Sequence, residues 1–150
     1  MDKYDKIFHS RGILNRSLSS QEAVAAIAII TTSADSSFED VDVEFLVDIL
    51  WRFEIFEEYS DEDLLEMLEK LLSLAEKNGR GALFNAANEQ LEGDFLEDAF
   101  AAGVSVILDE EEIQIPRTKI PLIKSLQQAL GIDNEDAKEI IEDVIAAFEE

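Results

Sequence analysis

Apolar residues recur at helical spacing along most of the chain, and the polar residues between them mark helix ends. Two pairs, Ser19 with Glu22 and Ser60 with Asp63, are each suited to an N-terminal capping box. After Ser60, leucines repeat at intervals of three and four residues and therefore share one face. The pattern predicts seven helices, at approximately residues 19–30, 40–59, 60–78, 82–91, 94–108, 118–130 and 133–148.

The second predicted helix is apolar on nearly every side, which sets it apart from the others. A helix with so little polar surface must be surrounded by other helices. Its polar residues Glu44, Asp48 and Arg52 recur every four positions. That spacing predicts one narrow solvent-facing stripe with an Asp48–Arg52 ion pair.

A strand is not expected anywhere in the chain. The segment 113–116 alternates apolar and polar residues, but it is too short to pair on its own and has no partner strand. We therefore predict an extended connector there. The fold class that follows is all-α, a single-domain bundle of about seven helices covering residues 18–150, preceded by a basic N-terminal arm at residues 1–17.

The two halves of the chain show a degenerate helix–acidic loop–helix duplication. Ala34-Asp35 aligns with Leu108-Asp109 at the start of the two loops. After a two-residue slip, three apolar positions of the second helix align with three of the sixth: Leu46, Val47 and Leu50 with Leu122, Ile123 and Leu126. Each half is therefore predicted to place an acidic loop between two packed helices.

Charge and composition exclude several classes of protein. The 35 Asp and Glu against 12 Lys and Arg give a formal net charge of −23, which repels phosphate backbones and argues against nucleic-acid binding. A hydrophobic fraction of 47% is too high for an acidic disordered chain. Without cysteine there are no disulfides and no thiol chemistry. The longest apolar run, residues 23–30, is far short of the roughly 20 residues of a membrane span.

The N-terminal arm carries the opposite charge to the rest of the chain. Lys3, Lys6, Arg11 and Arg16 outnumber the acids there, and the segment lacks the apolar stretch of a secretory signal. We expect a loosely held terminus, with folding back onto the domain or reaching a partner as the alternatives.

Enzymatic chemistry has little support in the sequence. The only histidine, His9, lies in the basic arm, and Gly79-Arg80-Gly81 lacks the Lys-Ser/Thr that completes a phosphate-binding loop. Carboxylates are so numerous that no acid–base pair stands out. A non-enzymatic protein is predicted, and a metal-assisted hydrolase is the weaker alternative.

The first acidic loop is the strongest candidate site. Asp35, Glu39, Asp40, Asp42 and Glu44 lie within ten residues. Divalent cations such as calcium or magnesium bind where several oxygens converge, so this loop is a candidate metal site. It is not an EF-hand, because the sixth position is not glycine and the twelfth is not glutamate.

The second acidic loop begins at Asp109, which is the sixth candidate metal ligand. Its acids are followed by Arg117, Lys119 and Lys124, which are placed to neutralise it internally. For both loops the alternative is a solvated turn whose carboxylates cap helix N-termini.

The first acidic loop and its preceding helix also resemble a known family. Ala-Ala-Ile-Ala-Ile-Ile-Thr-Thr-Ser-Ala-Asp, ending at Asp35, then an acidic turn and Glu44, is similar to the tellurite-resistance TerB-like family. The segment 126–133 resembles the C-terminal end of that family, so the likeness covers approximately residues 18–148. In the loops, Ser36 stands where the family has glycine, and Thr118 stands near the expected glutamate.

The resemblance implies a cytoplasmic helical protein linked to tellurite resistance and stress responses, with divalent-cation binding and membrane-associated partners. The leading hypothesis is a non-enzymatic TerB-like protein that binds a divalent cation weakly at the first loop. The alternative is an acidic interaction module that docks on a basic protein without a bound ion. The sequence leaves the oligomeric state open, with Phe53, Phe56 and Phe100 as candidates for an apolar contact between copies.

Overall fold

The Ser20–Ser33 helix lies at the centre of the molecule in the computed structural model, which describes residues 4–149. Every side chain from residue 23 to residue 30 is fully buried. Four of these eight residues are alanines, whose small side chains allow neighbouring helices to approach closely. Four other helices contact this one, and the buried apolar residues form a single core.

The all-α prediction is confirmed for the described residues, which form eight α-helices. In chain order they are α1 Asp5–Phe8, α2 Ser20–Ser33, α3 Val43–Leu50, α4 Asp61–Asn78, α5 Arg80–Asn88, α6 Asp94–Ile107, α7 Ile120–Leu130 and α8 Asn134–Glu149. Both predicted capping boxes, at Ser19 and Ser60, are present. Within residues 4–149, every helix is too short or too polar to span a lipid bilayer.

The second predicted helix is wrong in length. It ends at Leu50, and the chain continues through a 3-10 turn at Glu54–Phe56. The break returns Phe56 to the core, where it packs edge-to-face on Tyr59.

The same break removes the predicted ion pair between Asp48 and Arg52. Arg52 follows the end of α3, so it no longer lies one helical turn from Asp48. Its guanidinium instead lies 4.2 Å from the centre of the Phe148 ring on α8. This contact connects the turn after α3 to the last helix.

The N-terminal segment is packed onto the domain, which is the fold-back alternative and not the loosely held terminus that we expected. Its first turn forms α1, and Tyr4, Ile7, Phe8 and Leu14 are buried in the core. Phe8 packs edge-to-face on Phe84 of α5, with ring centroids 5.0 Å apart. Lys3 lies outside the described residues. The buried apolar side chains, which lie between basic residues in the sequence, therefore hold this segment on the domain.

The connector before α7 differs from the extended, unpaired segment predicted at residues 113–116. Ile113 belongs to the preceding turn, with a φ of 49°, and Gln114 pairs with Asp109 in an isolated antiparallel bridge, although residues 113–116 belong to no strand. Beyond it, α7 packs on α6 at Gly103, where an added Cβ would lie 2.7 Å from a methyl group of Leu126. The α6 helix also contacts α2 and α8, so it connects the centre of the domain to its C-terminal face.

Candidate functional site

Asp35, the first of the predicted metal ligands, is already bound by groups of the chain itself. The Tyr4 hydroxyl donates to both carboxylate oxygens, at 3.1 and 3.0 Å. The Lys119 ammonium lies 3.0 Å from one of them. Lys119 was expected to neutralise the second loop, and the structure places it on the first.

Arg80 is a second basic side chain on the first acidic loop. Its guanidinium donates to the Ser33 hydroxyl at 3.0 Å and to the Ser36 carbonyl at 2.8 Å. It also lies 4.0 Å from the centre of the Phe38 ring. Burial lowers the pKa of Arg80. Two cations of the chain, Lys119 and Arg80, therefore contact the loop where a metal ion was expected.

The remaining carboxylates of the first loop lie in different local environments. Asp42 caps α3 by accepting the Phe45 N–H at 3.1 Å, and the Ser37 hydroxyl donates to Asp40 at 3.3 Å. Glu39 and Glu44 are exposed. Among residues 4–149, no three acidic or histidine side chains form a group that could hold a metal ion.

Asp109 performs a local structural task in the second loop. Its carboxylate accepts the N–H groups of Glu111 and Glu112, at 2.9 and 3.1 Å, and so closes the turn after α6. This is the arrangement expected of an acidic residue that satisfies backbone donors. The metal-ligand roles of Asp35, Glu39, Asp40, Asp42, Glu44 and Asp109 remain predictions.

A groove that the sequence did not predict lies between α6, α8 and the turn after α3. We call it the acidic groove; its volume is about 540 Å³. Its apolar lining is formed by Phe53, Ile55, Ala101, Ile140, Val144, Ala147 and Phe148. Its carboxylates are Glu54, Asp94, Glu97, Asp98 and Asp143. Arg52, the basic residue of the lining, lies against Phe148.

The acidic groove concentrates unfavourable negative charge around Asp98. This side chain is half-buried, whereas the neighbouring Asp94, Glu97 and Glu54 are exposed. Burial raises the pKa of Asp98, and repulsion from Asp94, Glu97 and Glu54 raises it further. A positively charged group entering the groove would relieve this repulsion.

The elements that form the acidic groove explain why sequence reasoning missed it. On α6, Asp94, Asp98, Ala101 and Ser105 repeat at intervals of three and four residues and so share one side of the helix. That line of acidic and small residues is the signal that was available. Its pairing with Phe148 is a long-range contact, which helical periodicity does not reveal.

The three aromatic residues considered for contacts between copies have different positions. Phe56 and Phe100 are fully buried inside the domain and cannot touch another molecule. Phe53 is partly exposed and lines the acidic groove.

A second, polar cleft of about 610 Å³ runs along residues 11–17, beside α5. Its charged lining residues are Arg11, Arg16 and Glu89. Ile13, at the same place, is 79% exposed.

Comparisons with protein-family models, with curated proteins and with solved structures find no match to this chain. The TerB-like resemblance therefore stays a prediction, and the geometry of the described residues carries the functional argument.

Proposed function

We propose that this protein is a non-enzymatic interaction module that binds a basic protein partner in the acidic groove, without a bound metal ion. One observation supports this above all others. The groove combines an apolar lining with five carboxylates, one of which, Asp98, is half-buried among three others.

The two kinds of surface in the groove have complementary tasks in such an interface. Apolar side chains such as Ile55 and Val144 supply affinity, because burying them removes apolar area from water. The carboxylates steer positively charged partners toward the groove and disfavour acidic ones. A partner of this module therefore carries lysine or arginine beside exposed apolar residues.

The chemistry of the groove gives no support to an enzyme. Its lining contains no histidine, and the Ser105 hydroxyl donates to the Ala101 carbonyl at 2.8 Å within its own helix. His9 lies outside the groove lining, 3.8 Å from Asp5, with its side chain 72% exposed. A nucleophile with an adjacent base, which covalent catalysis requires, is therefore not assembled in the groove.

A labelled helical peptide with a leucine stripe flanked by lysines is a direct probe of the acidic groove. We expect it to bind the wild-type protein and to bind more weakly as salt shortens the Debye length below about 8 Å. Two control peptides, with serine in place of leucine or glutamate in place of lysine, should not bind. Peptide binding that does not weaken as the salt concentration rises, or binding of either control peptide, would contradict the proposal.

A matched pair of variants locates the binding site. The double variant Asp94→Lys/Glu97→Lys reverses two charges on the rim, and Glu62→Lys/Glu66→Lys reverses two exposed charges on α4. Each moves the formal net charge by four, from −23 to −19. We expect the rim variant to weaken peptide binding at least about tenfold, and the α4 variant to change it little. Equal losses would show that bulk charge, not the groove, captures the peptide.

The second candidate is the cytoplasmic TerB-like protein of metal or stress response, tellurite resistance included, with a divalent cation at the first loop. It is supported by the exposed side chains of Glu39, Asp40, Asp42 and Glu44, which crowd negative charge on one turn. Titration with calcium and magnesium tests it. If wild type and the Asp35→Ala/Asp42→Ala variant titrate alike, the loop is not the site.

A further inference from the structure

We infer that the acidic groove of one molecule binds the Arg11–Arg16 loop of a second copy of this chain. The inference rests on the proposed function, because it requires a groove that accepts a basic, apolar partner. Two observations carry it: an exposed isoleucine held between two arginines, and an apolar groove lined by carboxylates on a different face of the same molecule.

The Arg11–Arg16 loop holds Ile13 outward on a fixed backbone. Ile13 is 79% exposed, the highest value among the large apolar residues of the described chain. Its neighbour Leu14 is buried, and an added Cβ at Gly12 would lie 3.1 Å from Ala82. The residues on both sides of Ile13 therefore leave the loop little freedom to withdraw it from solvent.

Side-chain hydrogen bonds also fix this loop. The Asn85 amide donates to the Ser10 carbonyl at 2.9 Å and to the Gly12 carbonyl at 3.0 Å. The Gly12 N–H donates to the Ser10 hydroxyl at 2.9 Å. A loop that is already ordered loses little conformational entropy when it binds, which favours association.

The chemical groups of the loop complement those of the groove. The loop carries one exposed apolar side chain between two arginines, and the groove combines apolar lining residues with five carboxylates. Residues 1–18 carry a formal charge of +2, whereas residues 19–150 carry −25. Arg11 and Arg16 are thus suited to bind carboxylates such as Asp94 and Asp98, since a guanidinium group can form a bidentate pair of hydrogen bonds with a carboxylate.

The contact is heterologous, because the loop lies beside α5 and the groove lies between α6 and α8. Each molecule therefore has one loop and one groove to offer, and association continues into chains or closes into a ring. The net charge of −23 on both copies opposes their approach at long range. At physiological ionic strength this repulsion is screened beyond about 8 Å, while contacts inside the groove are shorter.

Sedimentation of the protein over a range of concentrations tests the inference. We expect wild type to associate as concentration rises, either into open chains or into a closed ring, of which a reciprocal dimer is the smallest. Ile13→Asp removes the loop contact, and Ala101→Arg fills the groove, so each variant alone should weaken association at least about tenfold. Ile120→Asp is the matched control: it changes another exposed isoleucine, on α7, and should associate like wild type.

Mixing the two variants gives the decisive measurement. The Ile13→Asp protein keeps its groove and the Ala101→Arg protein keeps its loop, so an equimolar mixture should form a 1:1 dimer that grows no further. If Ala101→Arg does not fold, the Asp94→Lys/Glu97→Lys variant replaces it in the mixture. A mixture that stays monomeric, or an Ile13→Asp protein that associates like wild type, overturns the inference.

The labelled leucine–lysine peptide separates this inference from the proposed function. A wild-type protein that remains monomeric at every concentration, but binds the peptide, overturns self-association and leaves the groove as a site for a different basic partner. Self-association that survives both groove variants also overturns the inference. If Ile13→Asp abolishes association and still binds the peptide, both the self-contact and the groove are supported.

Discussion

The Lys119 ammonium lies 3.0 Å from the carboxylate of Asp35, and this ion pair joins the start of α7 to the end of α2. The two residues are 84 positions apart in the sequence. The Tyr4 hydroxyl donates to the same carboxylate, so three separate segments of the chain meet at Asp35.

Replacing Lys119 by methionine should lower stability modestly. The Lys119 and Asp35 side chains are 29% and 18% exposed, so the pair belongs near the upper end of the 0–1 kcal/mol range of surface ion pairs, about 0.5–1 kcal/mol. A double-mutant cycle with Asp35→Asn, measured by urea unfolding, gives this coupling energy. Lys124→Met, an exposed substitution on the same helix, is the control. A coupling of zero would show that the contact contributes nothing to stability.

Asp98→Asn should stabilise the protein near neutral pH. Burial and neighbouring acids raise the pKa of Asp98 in the folded state above its ordinary value of 3.8, so the folded protein binds a proton that the unfolded chain has released. Stability contributed by this group therefore falls as pH rises from about 4 through the raised value. Thermal unfolding of wild type and Asp98→Asn at several pH values should show a smaller fall in the variant. A fall in Asp98→Asn as steep as that of wild type would contradict this explanation.

Gly103→Ala should destabilise the fold although alanine favours helices by about 1 kcal/mol over glycine. The added Cβ would lie 2.7 Å from Leu126 and 3.1 Å from the Thr31 hydroxyl oxygen. Overpacking of this kind costs about 1–3 kcal/mol. The free energy of unfolding measures the loss. A Gly103→Ala/Leu126→Ala variant should lose less stability than the two single variants together, and simple additivity would contradict the steric explanation.

Phe8→Ala should cost about 3–5 kcal/mol, the range for removing a buried aromatic side chain. Phe8 is 6% exposed and packs on Phe84, so the N-terminal segment contributes to the core. Ile13→Ala, in the same segment but 79% exposed, should change stability by less than about 0.5 kcal/mol. Urea unfolding compares the two variants. A loss near zero for Phe8→Ala would instead support a loosely held N-terminal arm.

Helix ends that depend on neighbouring residues were predictable from the sequence. Ser60 and Asp63 bond to each other's backbone across one turn, so their spacing alone reveals the cap. The break after Leu50 was not predictable in this way. Apolar residues continue on both sides of it, and only the packing of Phe56 into the core decides where the helix ends.

The acidic loops and the acidic groove show the same division between local and long-range information. The run of acids from residue 35 to residue 44 is visible in the sequence, but the cations that contact this loop, Lys119 and Arg80, come from distant segments. The groove likewise requires α6 and α8 to lie side by side, with Arg52 placed on Phe148 by the turn after α3. Charge along the chain identified acidic segments, and the fold determined which acidic residues line a cavity.

The two hydrogen bonds from Asn85 to the N-terminal loop cannot form until the ribosome has synthesised α5. Gly12 precedes Asn85 by 73 positions, so a ribosome must add all of those residues before the receiving helix exists. Until then, Phe8 and Leu14 have left the exit tunnel without the surface that later covers them. The apolar side chains of residues 8–14 are therefore translated well before the helix that covers them, and they stay exposed to solvent for that interval of synthesis.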